Sequence, residues 1–280
     1  MTAINGSAAA ITGAASGIGR ALALELAAGG CDVAIADRDE AGLAAAAAEL
    51  ASRGRKVTTH RVDVSDPAQI QAFAQAATAA HPGLNIVINN AGVAMLGQFN
   101  EIDQAQFEWL MNINFWGVVH GSRAFLPHLE RQSAAHIVNI SSIFGIIAPA
   151  GQTAYCASKF AVRGFSEALR HEFWLAKSPV NVTVVHPGGI KTNIVRNMRT
   201  GVGVTDNARR VESIERFDNE FVKTTAQAAA QTIIKGIENN APRVLIGGDA
   251  RFMDLLQRFR PGTYWKVLQK RIKITPQAAK

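Results

Sequence analysis

Residues 8–28 read AAAITGAASGIGRALALELAA, and this stretch decides the fold. The apolar run Ala8 to Thr12 has the length of a buried strand, and Ile18 to Ala28 is a helix-forming run with few breakers. Between them lies a turn rich in glycine. Glycine there permits a tight turn and lets backbone amides approach a pyrophosphate. The helix N-terminus adds oriented N–H donors and a partial positive charge. Gly13, Ser16, Gly17, Ile18 and Gly19 are therefore candidate phosphate-loop residues. Their spacing is GxxxGxG, not the more widespread GxGxxG.

The alternation continues outward. Strands are expected at Asp32 to Ala36, Val57 to Val62, Leu84 to Asn89, His136 to Ile140, Val180 to Val185 and Arg243 to Ile246. Helices are expected at Glu40 to Ser52, after the Asp66-Pro67 start signal, within Asp103 to Arg131, over Thr153 to Lys177 and over Thr225 to Asn239. Short apolar strands alternating with longer helices indicate an α/β chain. Its parallel sheet would be buried on both faces and doubly wound, with a ligand crevice at the strand C-terminal ends. No linker divides it, so residues 1–248 read as one domain, followed by a basic extension over 249–280.

A composition with 48% hydrophobic and 18% charged residues supports a sizeable core and excludes a disordered chain. No apolar run reaches the roughly 18–20 residues of a membrane span. The N-terminal segment lacks the pattern of a signal peptide, so a cytoplasmic location is expected. Cys31 and Cys156 read as reduced thiols, and no histidine or cysteine spacing suggests a metal. The net charge of +7 is concentrated near the end, where residues 249–280 hold eight Lys and Arg against two Asp. A charge confined to a tail, without a recognisable module, gives no reason to expect nucleic-acid binding.

Asp37 closes the second strand, 18 residues after Gly19. A carboxylate there accepts hydrogen bonds from the ribose hydroxyls of NAD and repels a 2′-phosphate. Arg38 beside it could instead pair with that phosphate. NAD is favoured over NADP, because a carboxylate next to a dianion is a direct penalty.

The fifth strand ends at Asn139-Ile140-Ser141-Ser142. Tyr155 follows Ser142 by 13 residues, and Lys159 lies four further on. Tyr155 and Lys159 thus share one helix face, roughly 5–6 Å apart at Cβ. A charged lysine there is expected to stabilise the phenolate and pull the tyrosine pKa down from about 10. Tyr155 would then serve as general acid/base, with Ser142 hydrogen-bonding the substrate oxygen.

Together these segments resemble the short-chain dehydrogenase/reductase family, in its compact single-domain branch. Thr12 to Gly19 is similar to that family's TGxxxGxG loop, and Asn89-Asn90-Ala91-Gly92 to its NNAG motif. Asn114, in Asn114-Phe115-Trp116-Gly117, corresponds to its catalytic asparagine and is preferred over nearby Asn112 because Gly117 follows by three. Ser142, Tyr155 and Lys159 complete the tetrad, and Pro187-Gly188-Gly189-Ile190-Lys191-Thr192 resembles the PG motif.

The resemblance implies a Rossmann-type sheet of about seven strands in the order 3-2-1-4-5-6-7. It implies a secondary alcohol dehydrogenase or ketone reductase, and it implies further roles. Asp63 and Val64 would meet the adenine ring. Asn90, Ala91 and Gly92 would pass the adenine ribose. Lys159 would bond the nicotinamide ribose, while Asn114 holds a backbone kink and a water. Pro187, Gly188, Ile190 and Thr192 would lie along the cofactor, with Ile190 and Thr192 at the carboxamide. An NADPH-dependent carbonyl reductase is the alternative enzyme, and a cofactor-binding regulator on the same fold is the alternative outside catalysis.

Beyond Thr192 the likeness thins. Residues 193–222 should cover the substrate. Ile194, Met198, Val202, Met95, Leu96, Phe144 and Ile147 could line an apolar pocket. Pro261-Gly262 should split the extension into two helical pieces. Those pieces could pack on their own subunit or a partner, lie on a membrane surface, or cap the active site. A homodimer through the two long helices is as consistent with this as a homotetramer.

Overall fold

The computed structural model describes residues 2–272, so Met1 and the last eight residues of the expected extension lie outside it. Seven strands form one sheet: β1 Ala8–Thr12, β2 Asp32–Asp37, β3 Val57–Arg61, β4 Leu84–Asn89, β5 Ala135–Ile140, β6 Val180–Pro187 and β7 Arg243–Ile246. Every neighbouring pair is parallel, and the order across the sheet is 3-2-1-4-5-6-7, as the resemblance implies. Each parallel pair needs a crossover, and the helices supply it: α1 Gly17–Ala28, α2 Glu40–Ala51, α3 Pro67–Ala80, α4 Gln104–Met111, α5 Gly117–Leu129, α6 Thr153–Leu175, α7 Asn207–Arg216 and α8 Ala226–Glu238. After β7 come α9 Gly248–Phe259 and α10 Tyr264–Ile272, the two expected pieces.

Side chains alternate across each strand, which is why apolar runs bury both faces. On one face Ile11, Ile35, Ile88 and Val138 pack with Leu22 and Leu26 of α1, Leu43 of α2 and Ile233 of α8. On the other, Ala10, Ala34, Val87 and Ile137 pack with Phe73 of α3, Phe125 of α5 and Phe173 of α6. A polar tie crosses this second layer. Asn89 donates to Asn139 (2.8 Å) and to Ser122 of α5 (3.1 Å), and Asn139 donates to Ser166 of α6 (2.9 Å). The tie fixes α5 and α6 relative to the strand ends where the crevice opens. Among the described residues no helix is long and apolar enough to cross a membrane.

Two local features differ from the sequence reading. The helix expected within Asp103 to Arg131 is α4 and α5 joined by a π-helical turn at Asn112–Trp116, a deviation that the apolar periodicity does not encode. The irregular stretch after β6 contains α7, whose sequence NARRVESIER has too few apolar residues to announce a helix.

His136 of β5 and His186 of β6 are completely buried, and burial pushes each imidazole down to about 3. An unfolded chain takes up a proton at each site near pH 6.5, while the folded one refuses it. Their contribution to stability is therefore complete above pH 6.5 and shrinks as pH falls toward 3, by up to about 1.4 kcal/mol per pH unit per site. The urea midpoint is expected to drop between pH 6.5 and 4, and less so in His136→Gln. A midpoint unchanged over that interval would contradict this account.

Candidate active site

The glycine loop at the C-terminal end of β1 is held from outside by the side chains of Asn90 and Asp37. Asn90, just past β4, donates through Nδ2 to the carbonyls of Thr12 (2.9 Å) and Gly13 (3.1 Å). Thr12 Oγ1 in turn accepts from the backbone N–H groups of Asn90 (3.1 Å) and Ala91 (3.2 Å). A Cβ on Gly13 would stand 2.8 Å from Asn90 Nδ2, and one on Gly19 would strike the Gly13 carbonyl. Two of the three loop glycines are thus required by packing within the protein. Gly19 does not line the cavity at all. Gly13 and Gly17 also take left-handed φ values of +68° and +56°, which favour glycine. Ser16, the N-cap of α1, offers no side-chain capping bond, so the first N–H groups of α1 are left for a ligand.

Asp37 sits on the rim of this loop. Its carboxylate accepts from the N–H of Ala15 (3.1 Å) and of Asp39 (3.1 Å), which fixes its direction. Arg38, Asp63, Val64, Ala91 and Gly92 line the same cavity, as do Pro187, Gly188, Ile190 and Thr192 on its other side. Asp63 is also a turn residue, accepting from the N–H and hydroxyl of Ser65.

Ser142, Tyr155 and Lys159 line the same cavity past the end of β5, three strands across the sheet from Asp37 at the end of β2. Lys159 lies one helical turn beyond Tyr155 on α6. Its ammonium donates to the Ile140 carbonyl (3.1 Å) and lies 5.7 Å from the Tyr155 ring centre. Ser141 pins α6 by donating to the Lys159 carbonyl (2.8 Å). Ser142 bonds the Tyr155 phenol, and its own carbonyl accepts from Nδ1 of buried His186 (2.9 Å). A carbonyl cannot donate, so His186 carries its proton on Nδ1.

Asn114 lies in the π-helical turn, fully buried, while Asn112 is exposed. It does not line the cavity. Its Oδ1 accepts from Val93 N–H (2.8 Å), and its Nδ2 donates to the Val93 carbonyl (3.0 Å) and to Ser158 (3.2 Å). Ser158 donates to the Tyr155 carbonyl (2.8 Å), so Asn114 ties the chain after β4 to the helix that carries the tyrosine.

The electrostatics correct one expectation. The Tyr155 phenol is not pulled down. Burial pushes it up to about 12, against the opposing hydrogen bond from Ser142. Burial also pushes Lys159 down to about 8. Both shifts have the same cause, since each charged form loses hydration. The first proton to leave the pair therefore leaves near pH 8.

Met95, Leu96, Phe144, Ile147, Ile194 and Met198 line the cavity of about 670 Å³, as the sequence suggests. Val202 does not. Its side chain is exposed, and its N–H is held by Gln106 (3.0 Å) in the covering segment's outer edge. That segment is stapled down by a short parallel pairing of Met95–Leu96 with Arg199–Thr200. The Arg209–Glu101 ion pair and the stacking of Arg199 on Trp109 (3.8 Å) reinforce it. Sequence reading missed the supporting residues: Asn90 as the clamp on the loop, Ser141, Ser158, His186, and Asp249, which accepts from Gly189 N–H (2.7 Å). It also missed Met253, Trp265 and Leu268, which line the cavity from the C-terminal helices. Only the glycine pattern around position 13 hinted at a close partner.

A doubly wound sheet with a glycine loop and a Ser, Tyr and Lys cluster in one crevice defines a class of dinucleotide-dependent oxidoreductases. The model of short chain dehydrogenases matches residues 7–203, and the chain belongs to that family. It is 42% identical over 268 residues to the putative oxidoreductase SadH of Mycobacterium tuberculosis, covering 96% of each chain. It is 35% identical over 206 residues to 1-deoxy-11-beta-hydroxypentalenate dehydrogenase of Streptomyces avermitilis, covering 72% of this chain and 75% of that one. A short chain dehydrogenase/reductase of Burkholderia phymatum, solved in complex with NAD, superposes with a TM-score of 0.84 at 29% identity, covering 100% and 99% of the two chains. The protein is an oxidoreductase of this family.

Proposed function

We propose that the protein interconverts an apolar secondary alcohol and its ketone with NAD(H), with Tyr155 as general acid/base. The observation that carries this reading is the meeting of Ser142, Tyr155 and Lys159 in one cavity with the glycine loop and Asp37. The residues fit a dinucleotide: free N–H groups at the start of α1, a left-handed Gly17, and a fixed carboxylate at the end of β2. A nicotinamide bound there would exchange hydride with the carbinol carbon. The NAD-bound Burkholderia relative supports the same cofactor class.

Each residue then has a task. Gly13, Ser16, Gly17 and Ile18 hold the pyrophosphate, and Asp37 the adenine ribose. Asp63, Val64, Asn90, Ala91 and Gly92 flank the adenosine, and Pro187, Gly188, Ile190 and Thr192 the nicotinamide end. Ser142 orients the substrate oxygen. In oxidation Tyr155 as phenolate takes the hydroxyl proton, and in reduction it returns one. Lys159 keeps the phenolate accessible, and Asn114 positions the helix that carries both.

The test is NADH formation, followed optically over aliphatic, cyclic, aryl, steroid and sugar alcohols, and repeated with NADP. Turnover of apolar secondary alcohols with NAD is expected. Turnover confined to sugars, or with NADP alone, overturns the reading. Asp37→Ser removes the charge that opposes a 2′-phosphate, while Arg38 remains beside it. The NAD to NADP ratio of kcat/KM should fall by about tenfold or more. An unchanged ratio would remove Asp37 from cofactor choice.

A further inference from the structure

The family match ends at residue 203, yet the cavity has a wall built after residue 248. Ala250 and Leu268 are fully buried in a cluster with Ile143, Ile146 and Ile147, the residues that follow Ser142. Met253 and Trp265 pack on this cluster and face the cavity. Phe144 connects it to chemistry, since its ring meets Tyr155 edge-on at 6.1 Å. An apolar surface thus runs from the phenol through Phe144 to Trp265.

This wall is fixed. Asp249, in the first turn of α9, accepts from Gly189 N–H beyond β6 (2.7 Å). Asp254 is buried between Arg243 of β7 (2.7 Å) and Arg258 (2.9 Å). Tyr264 at the start of α10 accepts through its hydroxyl from Ala148 N–H (3.0 Å). An aromatic plate held at three points reads size and shape with little reorganisation.

We infer that α9 and α10 are the specificity wall of the substrate site, with Trp265 and Met253 gripping the part of a bulky, rigid apolar ketone or alcohol farthest from its oxygen. The inference rests on the proposed reaction for the placement of the oxygen at Ser142 and Tyr155. A ligand with nothing beyond the carbinol carbon ends before the wall, so its binding is independent of it. A polycyclic ligand spans to Trp265 and loses that contact when the indole is removed.

The experiment compares parent protein with Trp265→Ala and Met253→Ala, and with Tyr264→Phe to loosen the clamp. Binding of acetone, cyclohexanone and an oxosteroid is measured by calorimetry, with and without NADH, beside turnover of the matching alcohols. Trp265→Ala is expected to weaken the oxosteroid by about tenfold or more, from the apolar area it exposes, and acetone by less than about twofold. Met253→Ala and Tyr264→Phe should repeat that order with smaller amplitude, and affinity for NADH should stay at the parent value. Equal losses for small and large ketones, or none for the oxosteroid, overturn the inference. A parent that binds oxosteroid through Trp265 but turns over no alcohol with NAD or NADP would keep the wall and sink the proposed reaction. Met253→Ala guards against a Trp265→Ala protein that fails to fold.

Discussion

Tyr155→Phe is expected to lower kcat/KM for alcohol oxidation by about 10³-fold while leaving NADH affinity within about twofold, because general acid/base groups contribute roughly 10²–10⁴-fold. Phenylalanine keeps the ring that meets Phe144 edge-on, so packing survives and only the proton carrier is lost. The pH dependence carries more information. Burial holds the Tyr155 proton up to about 12 and drives Lys159 down to about 8. The pair, not the tyrosine alone, therefore titrates near pH 8. Once it has lost one proton, the remaining one can rest on the ammonium and leave a phenolate. kcat/KM for oxidation should rise about tenfold per pH unit to near pH 8 and level above it. In Lys159→Met that first loss is gone, so the rise should continue upward toward the range of the phenol itself. Ketone reduction needs the proton in place and should fall where oxidation rises. Near-parental turnover by Tyr155→Phe, or an oxidation profile flat from pH 6 to 9, would remove Tyr155 from proton transfer.

What could be read from the sequence divides along a physical line. Strand limits at Ala8–Thr12, Leu84–Asn89 and Arg243–Ile246 agree with the expectation to the residue: the first two are buried strands with polar or glycine borders, and the third, an edge strand, is bounded by Pro242 and Gly247. Motif residues at strand C-termini converge because all seven strands are parallel and place those ends on one edge. Interactions set by long-range contact were not legible. The effect of burial on Lys159 depends on everything packed around it, not on its spacing from Tyr155. The π-helical turn at Asn112–Trp116 answers to the bonds between Asn114 and Val93, 21 residues away. The C-terminal wall reaches across more than a hundred residues, from Tyr264 to Ala148. Three fates for that extension stood open in the sequence, and Ala250 and Leu268 pack on their own subunit, against Ile143, Ile146 and Ile147, with Met253 and Trp265 lining the cavity.

Glycine 19 offers the sharpest structural test, because the reason for it changed between sequence and structure. Read in sequence, it makes room for a pyrophosphate. In the structure its missing Cβ makes room for the Gly13 carbonyl and for Asn90 Nδ2, which would lie 2.5 Å away. One added methyl therefore cannot be absorbed by a ligand shift. It must push the loop away from Asn90 and break the bonds to the Thr12 and Gly13 carbonyls. Gly19→Ala is expected to cost about 1–3 kcal/mol of stability by overpacking and to weaken NADH binding by about tenfold or more. Asn90→Ala in the same chain removes one obstacle but leaves the backbone carbonyl, so it should add damage and not restore binding. Gly164 is the control. It lies exposed within α6, and a Cβ there meets nothing within 4 Å. Gly164→Ala should raise stability by about 0.5–1 kcal/mol and leave NADH affinity alone, because alanine loses less backbone freedom on entering a helix. Calorimetric unfolding and NADH titration of the three variants read both effects. If Gly19→Ala behaved like Gly164→Ala, the loop would be held by something other than Asn90, and the cofactor end of the proposed site would lose its structural basis.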